Sequence, residues 1–114
     1  MLAKTKITKQ EYLKMSLSEL EYLLILQGRS KPSVSEKVRQ LNRIWNKNLT
    51  LLPCQVCSYN KHVELAHLKA ISQFDKKCLL EEVNNPDNIL VLCPNHHKEY
   101  DIGCLELIDI PLRK

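Results

Sequence analysis

Two pairs of soft metal donors stand in the second half of the chain, Cys54-x-x-Cys57 and Cys93-x-x-His96. A gap of two residues lets one tight turn aim both side chains at a single tetrahedral ion, the coordination of structural zinc. Thirty-five residues separate the pairs, enough to hold a functional loop. Three further features are not needed by such an ion: His67, Asn88, and the pair His97 and Asp101. An imidazole, with an unperturbed pKa of about 6.5, suits general-base work. His97 and Asp101 are four apart, so on a helix they share a face and offer nitrogen and oxygen to a divalent ion such as magnesium. Such an ion can act as a Lewis acid and as a template for a bound group. Cys93 and His96 would use another face of the same first turn, so one short helix could serve two metals.

These residues need elements to hold them. Residues 1–14 are polar and Lys-rich and read as a loose arm or frayed helix. Ser16 followed by Glu19 has the capping-box spacing, Leu17, Leu20, Leu23 and Leu24 follow in helical register, and Gly28 is a natural stop. A second helix begins at Ser33 after Pro32, with Glu36 three residues on. Val34, Val38, Leu41 and Trp45 form its apolar stripe. Arg39, Arg43 and Lys47 make a basic stripe on another face, a candidate phosphate-contacting surface that could equally be a solvated helix face. Pro53 ends the helices. Cys54 to Tyr59 reads as a metal knuckle, His62 to His67 as a short strand, and 72–88 as mostly loop. Ile89 to Leu92 reads as an apolar strand, and Pro94 starts a short helix to about Asp101 that Gly103 closes. The expected fold class is α+β, with N-terminal helices followed by a zinc-stapled finger. The expected organisation is a basic arm and helices over 1–53 and the finger over 54–114, in one compact domain.

Composition narrows the partners. Residues 1–53 hold ten Lys and Arg against four acids, and residues 54–114 hold seven against nine, so the basic charge is concentrated in the first half. A polyanion suits that half, because phosphate contacts supply most non-specific affinity. Aromatics are 5% of the chain, which argues against a base-stacking surface. Five cysteines are an odd number, and no signal peptide or membrane span is visible. The expected setting is a reducing cytoplasm, where clustered thiols read as metal ligands rather than disulfides. Cys78 and Cys104 lack partners at ligand spacing and read as free thiols.

The run Val63-Glu64-Leu65-Ala66-His67-Leu68-Lys69, followed by Asn84-Asn85-Pro86-Asp87-Asn88-Ile89-Leu90-Val91-Leu92-Cys93-Pro94-Asn95-His96-His97, resembles an HNH endonuclease. The His, Asn and His that name the family match His67, Asn88 and His97. The resemblance covers residues 54–103 and implies a ββα-metal finger, two short strands and then a helix. It implies that the Asn88 amide pins the loop carrying His67, and that the finger's helix lies against the minor groove and backbone of duplex DNA. One departure stands out. Many HNH sites carry His or Asp immediately before the base as a third protein ligand, and here that residue is Ala66. Glu64, on the same strand face, reads as a group that orients a neighbour. His62 reads as a surface residue.

The resemblance implies a metal-dependent endonuclease that hydrolyses DNA phosphodiester bonds and leaves 5′-phosphate ends. Arg39, Arg43, Lys47 and Lys69 are the candidate DNA contacts, with Zn2+ as the structural ion and Mg2+ or another divalent cation at the reaction centre. The alternative is a zinc-stabilised nucleic-acid-binding module that does not cut, and weaker still is a pure zinc scaffold. So short a chain leaves little surface for site selection, which a second copy or a protein partner would supply.

Overall fold

A computed structural model describes residues 7–28 and 33–113. Pro32, read above as preceding the second helix, lies outside them. The order is three helices, a strand, a one-turn helix, a second strand and a last helix: α1 (Lys9–Leu13), α2 (Leu17–Leu26), α3 (Val34–Trp45), β1 (Glu64–His67), α4 (Leu80–Val83), β2 (Ile89–Leu92) and α5 (Pro94–Asp101). The fold is α+β.

Local chemistry starts most of these helices. Thr8 and Glu11 form a complete capping box on α1, so of the two readings of residues 1–14, a loose arm or a frayed helix, Lys9–Leu13 takes the helical one. Ser16 and Glu19 do the same for α2. On α3 the Ser33 side chain accepts from the Glu36 backbone N–H. Gly28 and Gly103 follow α2 and α5 at φ of +88° and +80°, where a Cβ would be strained. α3 stops at Trp45 and the chain continues as a 3-10 turn over Lys47–Leu51. The basic stripe therefore keeps helical register only at Arg39 and Arg43. Two more 3-10 turns, Ile71–Gln73 and Pro86–Asn88, and α4 interrupt the segment read as loop.

β1 and β2 pair antiparallel, with Glu64 opposite Leu92 and His67 opposite Ile89. All four β2 side chains are buried, because the strand is a wall between two apolar clusters. Leu90 and Leu92 pack with Cys54, Ala66, Cys93 and Ile110. Ile89 and Val91 pack with Leu49 and Leu65 on the other face. A third cluster joins Leu17, Leu20 and Leu24 of α2 and Val38 and Leu41 of α3 to Ile71, Leu80 and Val83. The segment linking the strands is thus docked on the N-terminal helices, and backbone bonds from Leu17 to Cys78 and from Leu80 to Met15 seal the join. No described helix is long and apolar enough to cross a membrane.

Candidate active site and metal centre

Cys54, Cys57, Cys93 and His96 converge, their ligand atoms all lying within 4.8 Å of one another. The knuckle closes on itself through Ser58 N–H to Cys54 O and Cys54 N–H to Tyr59 O. Ser58 adopts φ of +65°, a left-handed turn that brings Cys57 back toward Cys54. The second pair sits where β2 runs into α5, with Cys93 at the N-cap and Pro94 at the first helical position. Tetrahedral zinc with ordinary bond lengths would set sulfurs about 3.8 Å apart and sulfur and nitrogen about 3.6 Å apart. The Cys57–Cys93 sulfurs are 3.9 Å apart, and His96 Nδ1 is 3.6 Å from Cys54 Sγ and 3.3 Å from Cys93 Sγ. The donor set and spacing therefore fit such an ion. Burial pushes the Cys54 thiol up, but N–H groups of Cys57, Cys93 and Val56 outweigh it and bring its pKa down to about 6.

A cleft of about 780 Å³ opens beside this centre, lined by His67, His97, Asp101, Tyr100 and Arg39 among others. His67 ends β1 and contributes a half-buried ring. Its Nε2 lies 2.8 Å from Asn84 Oδ1. Burial holds its pKa below the ordinary value, helped by the nearby Arg39 charge and opposed by the Asn84 hydrogen bond. Arg39 is exposed and makes no ion pair among the described residues.

His97 is fixed from the strand side, where Glu64 Oε1 lies 2.7 Å from its Nδ1. A carboxylate can only accept, so Nδ1 carries the proton and the neutral ring keeps its lone pair on Nε2. That Nε2 lies 3.5 Å from Asp101 Oδ2, longer than an ordinary N–H···O bond. Two neighbouring ligands of an octahedral ion would stand about 3.0 Å apart. The pair therefore fits a divalent ion with a small closure, backed by a carboxylate as metal-binding histidines commonly are. Ala66 is buried against Leu90 and supplies no ligand. His62 is exposed, with Nε2 3.6 Å from Glu64.

Asn88 lies beside the chain that leaves His67. Its Oδ1 accepts from Lys69 N–H at 2.8 Å, and its Nδ2 donates to Val83 O at 2.9 Å and Lys69 O at 3.3 Å. Its backbone oxygen accepts from Leu68 N–H. Tyr100 adds a second clamp, its hydroxyl donating to Leu68 O at 2.8 Å. Arg43 and Lys47 are exposed away from the cleft lining, and the Lys69 ammonium lies 4.6 Å over the Phe74 ring.

Two residues that touch this machinery carried little sequence signal. Tyr100 stands out only as an aromatic residue in a polar helix. Asn84 has the composition of a turn former, yet it is 3% exposed.

A family model described as HNH endonuclease matches residues 54–105. No curated protein and no solved structure gives a significant match.

Proposed function

We propose, from the match of residues 54–105 to the HNH endonuclease family model, that the chain is a metal-dependent nuclease hydrolysing phosphodiester bonds of duplex DNA. The observation that carries the reading is the gathering of His67, His97, Asp101 and Arg39 around one cleft within reach of solvent. Neither a scaffold nor a simple zinc module needs those four together.

In this reading Arg39 draws a backbone phosphate into the cleft, with Arg43, Lys47 and Lys69 extending the contact along the duplex. His67, neutral at physiological pH, takes a proton from the attacking water. The water oxygen bonds to phosphorus and the P–O3′ bond breaks, leaving a 5′-phosphate and a 3′-alkoxide that solvent protonates to the hydroxyl. His97 Nε2 and Asp101 would hold a divalent ion, which would supply charge and Lewis acidity when bound. Glu64 orients His97, while Asn88 and Tyr100 hold the backbone after His67. Cys54, Cys57, Cys93 and His96 hold a structural zinc whose binding energy supports folding of a small core.

Plasmid nicking with magnesium or manganese tests this. Wild type should nick, and His67→Ala should lose roughly 10²- to 10⁴-fold in rate while zinc content, melting temperature and DNA affinity stay nearly unchanged, because a general base acts in the transition state. Ala66 favours the second reading, a module that binds without cutting. Failure of wild type to nick with any divalent ion, with DNA binding retained, would favour it over the nuclease.

A further inference from the structure

We propose that Asn84 is the positioning residue of His67. Its side-chain oxygen holds the ring as the Nε2–H tautomer, so that Nδ1 is the atom facing the water to be deprotonated. The second half of this statement rests on the nuclease reading. The first half does not.

The orientation of the Asn84 amide is set by its other end. Nδ2 lies 3.1 Å from Val38 O, and only an N–H group can serve that carbonyl. Oδ1 therefore faces His67, where it can only accept, at 2.8 Å from Nε2. In a neutral imidazole the proton on Nε2 leaves Nδ1 as the lone-pair nitrogen. His67 Nδ1 has no partner among the described residues, and no unpartnered side-chain nitrogen or oxygen is buried. Nδ1 is thus open to solvent in a side chain that lines the cleft.

Asn84 is itself held with little freedom. Its backbone N–H donates to Leu80 O at 2.9 Å, and its carbonyl accepts from Asn46 Nδ2 at 2.9 Å. Asn46 Nδ2 also donates to Asn42 Oδ1 at 2.7 Å. All three asparagines are buried, at 2% exposure for Asn42, 4% for Asn46 and 3% for Asn84. A ladder of satisfied amides thus runs from α3 to the base. Such networks tolerate little displacement, since losing one partner leaves another buried polar group unpaired. Through this ladder the N-terminal helices orient the finger's imidazole.

Long-range 15N–1H correlation spectra of the zinc-loaded full chain, taken where imidazoles are neutral, report which nitrogen of each ring carries the proton. Wild-type His67 should show the Nε2–H pattern. Asn84→Ala should give a mixture of tautomers and lower kcat by roughly 10- to 100-fold with KM unchanged, within what a general base contributes. Asn84→Asp keeps an acceptor and should restore the Nε2–H pattern. A wild-type His67 protonated on Nδ1 would overturn the proposal, as would an Asn84→Ala chain with an unaltered pattern. The wild-type spectrum needs neither cleavage nor a folded variant. A chain that shows Nε2–H yet cuts nothing therefore supports the Asn84 assignment while removing the nuclease reading.

Discussion

Glu64→Gln isolates the charge behind His97 without moving the ring. Glutamine keeps an oxygen that can accept from Nδ1–H, so the geometry of the 2.7 Å contact survives while the negative charge is lost. Losing a hydrogen-bonded partner behind a metal-bound histidine typically weakens metal binding by roughly 10- to 100-fold. The Glu64 side chain is 41% exposed, so solvent screens its charge and the effect should fall at the low end. We expect about tenfold, or about 1.4 kcal/mol. The assay is the nicking rate as a function of free manganese or magnesium. The activation constant should rise about tenfold, and the rate at saturation should change little. Zinc content and melting temperature should match wild type, because Glu64 touches none of the four knuckle ligands in any hydrogen bond or ion pair. An unchanged activation constant would refute the view that Glu64 tunes His97 as a ligand. Lost zinc would show instead that Glu64 supports the knuckle.

His96→Ala and His97→Ala should differ sharply although the residues are adjacent, because neighbours on a helix point about 100° apart. The first should release zinc and lower the melting temperature, and the second should stop nicking and keep zinc. Cys54→Ser or chelation should unfold the finger in circular dichroism, since ion binding and folding are one free energy there. An apo chain with an unshifted melting temperature would refute it. The rate should fall on the acid side with a midpoint below 6.5, because the folded-state pKa of His67 is lowered and its neutral form persists until the pH drops through that value. Arg39→Ala, removing a neighbouring positive charge, should move that midpoint upward in kcat/KM profiles. The double variant Arg39→Ala, Arg43→Ala should reduce the slope of log Kd against log salt by about 2 for every DNA sequence in binding titrations.

The chain shows which of its features are written locally. The knuckle pairs, the capping box at Ser16, the Ser33 N-cap, the apolar run Ile89 to Leu92 and the Pro94 helix start each depend on residues within one or two turns of one another. Their spacing therefore predicts the element directly. Thr8 and Glu11 carry the same capping signal, in a Lys-rich surround that leaves a loose arm and a frayed helix both open. α4 and the 3-10 turns are too short to develop a hydrophobic period, so no pattern announces them.

Residue type and spacing were sufficient to single out His67, Asn88, His97 and Asp101 as candidates for chemistry and the two pairs as a group that could hold one ion. Whether Asn84 is a turn former or a buried partner of His67 depended on the packing of the 80–88 segment against α3, residues more than forty positions away in the chain. The same holds for the lowered pKa of His67, which comes from desolvation and from Arg39 on another element. Hydrogen-bond direction, burial and the charge across a cleft are properties of groups brought together from distant positions, and no local pattern encodes them.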